Sequence, residues 1–420
     1  MSEDLRQAIR KIGEQAKAAA LELSALSGRK RQKAIAAMPS GLREIRSEIM
    51  KVNSEEVEAA RMSGLAEPLM KRLEISGKVF QYMLDRLEKV AALPDPIGRV
   101  IEGHTRPDGL VVEKVTVPLG VIGMIYESRP NVTTDAASVC LKSGNAVILR
   151  GGSESLKTNM LLADAMIRTC RDHGLPEHAV QIIREPGHEA VGELLQLDDC
   201  MDVLIPRGGK PLIRAVSDGT RIPVIKHYEG VCHLYLAADA PVDMAVALTV
   251  NSKCQRMEVC NALEKVLIDS KSAPILLKAI ARALRAQGVE LRGCAKTCEL
   301  DPSIAPASDE DWTAEYLAPI LTVRIVDGLA EAVRHINTFG SGHTDGIVTQ
   351  NVDSARRFVQ AVDSASVMVN ASTRLSGGGD YGLGAVVGIS TDKIHARGPV
   401  GPNDLTSYKW IAYGSGHLRT

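Results

Sequence analysis

The sequence predicts an α/β protein built from two doubly wound domains with parallel sheets. From residue 146 onward, apolar segments of strand length alternate with amphipathic segments of helix length, which is the pattern of consecutive βαβ units. The chain has 420 residues, more than a single hydrophobic core ordinarily serves. Apolar residues make up 45% and charged residues 24% of the chain, a composition typical of globular domains.

The first part of the chain is predicted to be helical. Apolar residues recur at three- and four-residue spacing from Leu5 to Ala20, and the helical region ends before Pro94. Residues 111–117 alternate like a half-buried strand, and residues 120–126 read as a buried strand. The next predicted elements are strand 146–149, helix 154–173, strand 180–183, helix 189–197, strand 203–205, helix 210–216 and strand 224–225.

A second α/β series predicts the second domain. Pro241 opens a helix that reaches Cys254, and residues 406–413 alternate like an edge strand at the end of the chain. Between them the predicted elements are strand 262–268, helix 273–287, strand 320–326, helix 329–339, strand 347–348, helix 352–361 and strand 367–370. We therefore expect one domain over residues 1–107 and 124–235, another over 236–385, and a small β element over 108–123 and 386–420.

Composition and charge exclude several classes of function. Lys plus Arg count 50 against 51 Asp plus Glu, so no basic excess is available for a nucleic-acid backbone. Aromatic residues make up 3%, too few for base-stacking platforms. The acidic start lacks the pattern of a secretory signal, and no apolar stretch has the length of a membrane span. We expect a cytoplasmic protein that binds neither nucleic acid nor membrane.

The cysteines and histidines predict neither disulfides nor a metal site. Eight cysteines are scattered without paired spacing, and ten histidines are dispersed without ligand spacing. Cys260 stands out because Lys253 and Arg256 precede it closely and could favour its thiolate, the nucleophilic form. The alternative is a small buried thiol, and Cys254 is the competing candidate for the nucleophile.

Two glycine-containing loops carry cations. Residues 205–210 form a strand end, a glycine turn and a helix start, where free N–H groups and the helix dipole attract an anion, with Arg207 and Lys210 adding charge. The alternative is an ordinary turn between a strand and a helix. His395 and Arg397 belong to the second loop. Asn131, which begins a helix after a buried strand, could cap that helix or aim its amide at a reacting carbonyl group.

Other motifs are weak or absent. Residues 377–382 fit G-x-G-x-x-G, but they lie in a glycine run without a clear helix behind them, so a flexible loop is the better interpretation. The sequence contains no P-loop, no H-E-x-x-H and no G-x-S-x-G, which argues against P-loop, zincin and α/β-hydrolase functions.

Residues 117–132 closely resemble the gamma-glutamyl phosphate reductase family, a proline-biosynthesis branch of the aldehyde dehydrogenase superfamily. Further matches run in the same order along the chain, at residues 140–152, 205–210, 226–227, 340–344, 370–374, 395–398 and 408–410. The resemblance implies an aldehyde dehydrogenase-like fold. In that fold the domain over 1–107 and 124–235 binds NADPH, the domain over 236–385 carries the nucleophile, and the small β element mediates oligomerisation.

The resemblance also implies an activity, the NADPH-dependent reduction of L-glutamate 5-phosphate to L-glutamate 5-semialdehyde and phosphate, the second step of proline biosynthesis from glutamate. Its catalytic residues would be Cys260 and Asn131. It implies a homo-oligomer and a transient contact with glutamate 5-kinase. For the cofactor we expect Arg150, Gly151, Gly152, Arg207, Gly208 and Gly209, and for the substrate's anionic groups Lys210, His395 and Arg397. Arg150 ends a strand, where it could meet an adenosine 2′-phosphate.

The sequence departs from the family pattern at a few positions. Cys254 stands where the family commonly has Thr, and Leu375, Gly377 and Val386 lie in a loop expected to face the substrate. Two alternatives remain at this point: an acylating aldehyde dehydrogenase with another substrate, such as an acyl-CoA, and a non-catalytic member that acts as an assembly or regulatory subunit.

The residues around His227 help to decide whether water or phosphate attacks the thioester of the acyl-enzyme. Hydrolytic aldehyde dehydrogenases carry a water-activating glutamate at a strand end that here appears as His227, with Glu229 two residues on. A two-residue offset moves a side chain ~7 Å along a strand. We therefore expect no base positioned for water, and phosphate rather than water as the exchanged group. The alternative is that His227 or Glu229 reaches a water through a bend.

Overall fold

A computed structural model of the chain describes residues 3–419. The outermost residues of the predicted domain ranges, Met1, Ser2 and Thr420, lie outside the described residues. The helices are α1 Glu3–Ser24, α2 Gly28–Glu44, α3 Arg46–Met62, α4 Glu67–Leu73, α5 Gly77–Ala92, α6 Asn131–Lys142, α7 Leu156–Asp172, α8 His188–Leu194, α9 Lys210–Gly219, α10 Val242–Cys254, α11 Ala273–Arg285, α12 Ala295–Leu300, α13 Leu329–Phe339 and α14 Val352–Ala361.

The strands are distributed through the rest of the chain. They are β1 Val100–Thr105, β2 Val111–Pro118, β3 Val121–Tyr126, β4 Ala146–Gly151, β5 Val180–Ile182, β6 Val203–Arg207, β7 Cys232–Leu236, β8 Leu263–Asp269, β9 Glu290–Gly293, β10 Ala305–Pro306, β11 Ile320–Val326, β12 Thr344–Val348, β13 Ser366–Val369, β14 Gly388–Ser390, β15 Gly398–Val400 and β16 Thr406–Tyr413.

The chain forms two compact units. The first contains the chain up to Lys226 together with Gly382–Ile389 and the residues from Ile394 onward, and the second contains His227–Tyr381 and Ser390–Lys393. The boundary at Lys226 precedes the expected one at residue 235. The strands assigned to a separate β element cluster with the first unit.

In the first unit, a parallel sheet in the order β5-β4-β3-β6 forms the centre. Strands β3 and β4 are buried along their whole length, as expected for a parallel sheet that is covered on both faces. Helices α1, α2 and α5 present buried apolar faces to the same core. Strands β1, β2 and β16 form an antiparallel sheet in which β16 pairs with β2.

In the second unit, a parallel sheet runs in the order β10-β9-β11-β8-β7-β12-β13 across the described residues. Strands β7, β8 and β12 lie at its centre and are fully buried. Helices α10 and α11 pack against a hydrophobic core that includes β8 and β11. Helices α13 and α14 pack against a second core that includes β7 and β12. The predicted fold class, two doubly wound α/β domains with an added small β element, is confirmed.

Some predicted elements need correction. The predicted strand 224–225 is reduced to a single bridge between Leu204 and Val224, because Pro223 has no N–H for a ladder. Strand β7 was not predicted, since His233 interrupts its short apolar run. In the structure His233 is buried and bonded to Asp345 at 3.0 Å. Among residues 3–419, no helix is long and apolar enough to cross a membrane.

Candidate active site and cofactor site

The predicted cofactor-binding residues of the first unit meet at one edge of its sheet. Strands β4 and β5 lie on one side of β3, and β6 lies on the other side. The order in which successive strands join the sheet therefore reverses beside β3. In α/β sheets such a reversal opens a crevice at the carboxyl ends of the strands, where ligands bind. Tyr126, the last residue of β3, pairs with Gly151 on one side and with Arg207 on the other. Residues 150–152 and 207–209 therefore flank the same strand end.

An internal carboxylate occupies the start of α9, where the sequence predicts an anion. The Gly209 N–H donates to Glu127 Oε2 at 2.8 Å. A Cβ atom on Gly208 would lie 2.4 Å from the same oxygen, so a side chain there would displace the Glu127 carboxylate. The helix dipole thus attracts an anion as expected, but the anion present is the side chain of Glu127. A phosphate group at this position would have to displace it.

A second carboxylate holds the loop after β3. Glu154 Oε1 accepts hydrogen bonds from the Ser128 N–H and hydroxyl, both at 2.6 Å. A Cβ atom on Gly152 would lie 2.2 Å from the Glu154 carboxylate, so this glycine gives the carboxylate room. The backbone at residues 127–128 is therefore fastened to the loops that follow both β4 and β6.

Arg150 is buried, and its guanidinium binds backbone carbonyl groups. It donates to the carbonyl oxygens of Gly151 at 2.6 Å, Pro186 at 2.8 Å and Gly187 at 3.2 Å. Burial lowers the pKa of Arg150, and the nearby Glu154 carboxylate opposes this shift. Arg150 therefore ties the loop before α8 to the end of β4 and keeps a positive charge at the carboxyl edge of the sheet.

Asn131 is the first residue of α6, and Pro130 takes the N-cap position. The alternative that Asn131 caps the helix is therefore wrong. Its Nδ2 donates to Asp135 Oδ2 at 3.4 Å, and Asp135 accepts from Arg86 Nε at 2.8 Å. Burial raises the pKa of Asp135, and Arg86 opposes that shift. Because an amide nitrogen carries two hydrogens, Asn131 can orient one towards Asp135 and donate the other to a ligand.

The remaining predicted substrate residues also belong to the first unit. Lys210 begins α9 and is half-buried, while His395 is exposed and its Nε2 lies 2.9 Å from the Thr406 carbonyl oxygen. Arg397 is half-buried. These three residues stay predictions as ligands of the substrate's anionic groups.

Cys260 lies at the amino ends of three neighbouring strands in the second unit. Strands β8, β7 and β12 are adjacent and parallel, and Cys260, His227 and His343 each precede one of them. The Cys260 Sγ and one ring nitrogen from each histidine lie within 4.8 Å of one another. The two imidazole rings meet edge to face, with centroids 5.5 Å apart. Sequence reasoning gave His343 no role, although residues 340–344 were among the family matches.

The backbone around Cys260 is held by a very close approach of Gly230. A Cβ atom added to Gly230 would lie 1.7 Å from the Cys260 carbonyl oxygen, so no other residue fits without moving the strand entry. The Gly230 N–H donates to Glu315 Oε1 at 2.9 Å, and the Cys232 thiol donates to the Cys260 carbonyl at 3.3 Å.

The hydrogen bonds of His343 identify which of its ring nitrogens carries the proton. The Thr344 hydroxyl donates to Ser376 Oγ at 2.9 Å, so its oxygen accepts the Nδ1–H of His343 at 2.8 Å. Nδ1 therefore carries the proton, and Nε2 presents a lone pair. The structure thus places imidazole nitrogens within 4.8 Å of the thiol sulfur, while the expectation that no base is positioned for water stays a prediction.

Arg374 supplies a cation near Cys260. Its guanidinium donates to Asn261 Oδ1 and to Gln255 Oε1, and Asn261 Nδ2 donates back to the Arg374 carbonyl oxygen at 3.3 Å. Burial lowers the pKa of Arg374, as does the charge of Arg256, while the Cys260 thiolate opposes these effects. Arg374 is therefore a cation in the electrostatic surroundings of Cys260, and sequence reasoning gave it no role.

The charge of Lys253 is used elsewhere. Its Nζ lies 3.0 Å from Glu264 Oε2, and both side chains are fully buried. The expectation that Lys253 favours the Cys260 thiolate is therefore replaced by a buried ion pair with Glu264.

Cys254 lies in a different environment from Cys260. It ends α10 and lines a groove of about 630 Å³ with residues of α10 and α11, among them Val250 and Ala283. Burial raises the pKa of the Cys254 thiol, which Lys253 opposes. No histidine lines this groove among the described residues, so the two candidate cysteines differ in the bases available to them.

Comparison with known proteins gives a consistent result. The profile described as "Aldehyde dehydrogenase family" matches residues 2–311 and 303–382. A crystal structure of gamma-glutamyl phosphate reductase from Thermotoga maritima shares 40% identity, covers 98% of this chain and 100% of that one, and has a TM-score of 0.95. The Saccharomyces cerevisiae protein of the same name shares 29% identity over 100% and 99% of the two chains, with a TM-score of 0.55.

More distant structures share the fold. An acetylating aldehyde dehydrogenase from Geobacillus thermoglucosidasius has 19% identity and a TM-score of 0.69, and covers 99% of this chain and 98% of that one. At this identity the similarity concerns the architecture alone.

We expect Gly230→Ala to impair catalysis because its Cβ would collide with the Cys260 carbonyl and displace the thiol. A displacement of about 1 Å at a reacting group can lower kcat/KM on the order of 10²-fold. Gly192→Ala is the matched control, because a Cβ there meets nothing within 4 Å. The measurements are kcat/KM and the thermal midpoint of both variants. Wild-type activity in Gly230→Ala would show that this close approach does not position the thiol.

Proposed function

This chain belongs to the aldehyde dehydrogenase family and, within it, to the gamma-glutamyl phosphate reductases, and we propose that it reduces L-glutamate 5-phosphate to L-glutamate 5-semialdehyde with NADPH. It is an oxidoreductase that acts on the aldehyde group. The observation that carries the substrate proposal is the match to the Thermotoga maritima reductase, which extends over nearly the whole chain and includes the segment of Cys260.

The chemistry begins at the thiol. The Nε2 lone pair of His343 or a nitrogen of His227 takes the Cys260 proton, and the resulting thiolate attacks the acyl-phosphate carbon. The carbon–oxygen bond to phosphate breaks, phosphate leaves with the bonding electrons, and a thioester to Cys260 remains. The Asn131 amide, oriented by Asp135, supplies an N–H for the oxyanion of the addition step.

The carboxyl edge of the first-unit sheet suits a dinucleotide. The strand order reverses there, and glycines at residues 151–152 and 208–209 allow close approach to the backbone. Arg150 and Arg207 add positive charge to the same edge. The chain uses a nicotinamide dinucleotide, which is characteristic of its family. When bound, the cofactor supplies the hydride that reduces the thioester and releases the Cys260 thiolate.

The substrate carries a phosphate and a carboxylate, and cations are available for both. Arg374 donates to Asn261, the residue that follows Cys260, and this position near the thiol supports a role for its charge when phosphate leaves. Lys210, His395 and Arg397 are our candidates for the other anionic contacts.

The cellular setting and assembly complete the proposal. All cysteines in the described part of the chain are free thiols, which supports a reducing compartment such as the cytoplasm. Strand β16 exposes Tyr408, Trp410 and Tyr413, which supports an interface in a homo-oligomer. The contact with glutamate 5-kinase stays a prediction.

We expect Cys260→Ser to lower turnover by at least ~10³-fold, because a serine hydroxyl is a far weaker nucleophile than a thiolate. Cys254→Thr should keep nearly wild-type activity, since Cys254 lies in the α10–α11 groove and Thr is the usual family residue. Steady-state rates and circular dichroism of both variants check the prediction. Equal losses in the two variants, or an active Cys260→Ser enzyme, would contradict the assignment.

NADPH should be preferred over NADH by about 10- to 100-fold in kcat/KM, the range expected from one or two charged hydrogen bonds to the 2′-phosphate. Arg150→Ala should reduce this ratio by removing a positive charge from the cofactor edge. Arg171→Ala, an exposed arginine in the last turn of α7, is the control. A ratio near one in the wild type, unchanged in Arg150→Ala, would rule out this role of Arg150.

Phosphate should be required for the oxidation of glutamate semialdehyde by NADP⁺. We propose that His227 and His343 act as bases for the Cys260 thiol and do not activate water. Hydrolysis of the thioester should therefore be on the order of 10²-fold slower than attack by phosphate. The assay follows NADPH formation with phosphate, without phosphate, and with coenzyme A in its place. Sustained phosphate-independent turnover that yields free glutamate would indicate a hydrolytic enzyme. Turnover only with coenzyme A would indicate an acyl-CoA enzyme. Absence of turnover under all three conditions would indicate a non-catalytic subunit.

A further inference from the structure

We propose that Cys260, His227 and His343 form a binding site for a borderline-soft divalent cation of the Zn²⁺ type, and that such an ion reversibly blocks the nucleophile. One thiol sulfur and two imidazole nitrogens are the ligand types that Zn²⁺ prefers over oxygen donors. The spacing of cysteines and histidines does not indicate this site, because its ligands precede three separate strands. Binding of the cation does not depend on the proposed function, whereas inhibition rests on it.

The three ligand atoms are near enough to one another for a tetrahedral site to form after the side chains move inward. With Zn–N near 2.0–2.1 Å and Zn–S near 2.3 Å, ligand atoms lie about 3.3–3.6 Å apart. In the structure all three ligand atoms lie within 4.8 Å of one another, so small side-chain rotations suffice. His227 and Cys260 are half-buried and can make these rotations, while His343 is buried and fixed.

His343 already has the hydrogen bond that is typical of a metal ligand. Metal-bound histidines almost always donate their other ring N–H to an oxygen acceptor, which fixes the tautomer and the ring orientation. The Thr344 hydroxyl accepts from Nδ1 at 2.8 Å and is itself oriented by Ser376. The Nε2 lone pair is thereby prepared for coordination without further rearrangement.

Three protein ligands leave a fourth position open, which is the arrangement of an exchangeable site rather than of a structural one. On binding, the thiol loses its proton to solvent and its sulfur lone pair forms the bond to the cation, with no change of oxidation state. The sulfur can then no longer attack an acyl phosphate. The positive charge of Arg374 repels a dication at this position, which favours reversible binding.

The test uses the full-length protein and Co²⁺ as a spectroscopic probe. We expect one equivalent of Co²⁺ to produce a thiolate-to-cobalt charge-transfer band and the intense ligand-field bands of a tetrahedral site, and Zn²⁺ to displace it. Cys260→Ser should abolish the charge-transfer band. His343→Gln and His227→Ala should each weaken binding by at least ~100-fold. Cys254→Ser, a half-buried cysteine outside the cluster, should bind like the wild type.

The test uses two histidine variants because replacement of the buried His343 could also disturb folding. His227 is less buried, so His227→Ala leaves the core intact and tests the site independently. Absence of the bands in the wild type, bands that persist in Cys260→Ser, or bands that vanish in Cys254→Ser would overturn the proposal. So would activity losses in both histidine variants without any cobalt spectrum in the wild type, which would show that the histidines act as bases alone.

The inhibition is measured separately. Zn²⁺ should slow both turnover and alkylation of Cys260 by iodoacetamide, and a chelator should restore both. A cobalt spectrum together with absent reductase activity would overturn the proposed function and leave the cation site standing. Reductase activity without cobalt binding would overturn the cation site and leave the proposed function standing.

Discussion

The geometry at the thiol depends on one steric constraint, the backbone contact between Gly230 and the Cys260 carbonyl group. The approach is so close that it excludes any side chain at residue 230. It couples the entry of β7 to the entry of β8, and a hydrogen bond from the Cys232 thiol reinforces it. His227 lies three residues before this contact, so the same constraint brings its ring to the thiol. The Cys260 thiol at the amino end of β8 is thereby positioned by a neighbouring backbone segment.

Strand β8 shows how burial decides which charges serve the site. Glu264 and Lys265 are both buried in the central strand, and burial lowers the pKa of Lys265 to about 8. Lys265 Nζ donates to the Ala314 carbonyl oxygen at 2.8 Å, and Glu264 pairs with Lys253. An unpaired charge in such surroundings costs several kcal/mol, roughly 3–5 in measured cases, so each of these buried charges needs a partner of its own. Arg374 takes no part in the Lys253–Glu264 ion pair and keeps its charge near the thiol.

The sequence predicts best what depends on local periodicity. Helices α13 and α14 have the predicted bounds, because their apolar residues recur with the helical period. The thiol's surroundings depend instead on strand order: His343 reaches Cys260 because β12 and β8 both flank β7. Periodicity carries no information about which strands are neighbours. The family resemblance therefore predicts Cys260 and Asn131 as catalytic residues, whereas only the topology shows that His343 lies near the thiol.

At the start of α9 the helix dipole acts on a carboxylate of the protein itself. The dipole and the free N–H groups predict negative charge at Gly209, and the structure supplies it from Glu127. Glu154 does the same for Ser128, so two carboxylates hold together the loops at the carboxyl edge of the sheet. Backbone donors that are already paired give a phosphate little net gain. We therefore expect the side-chain cations of residues 207–210, rather than the Gly209 N–H, to contribute most to the binding of an anion at this edge.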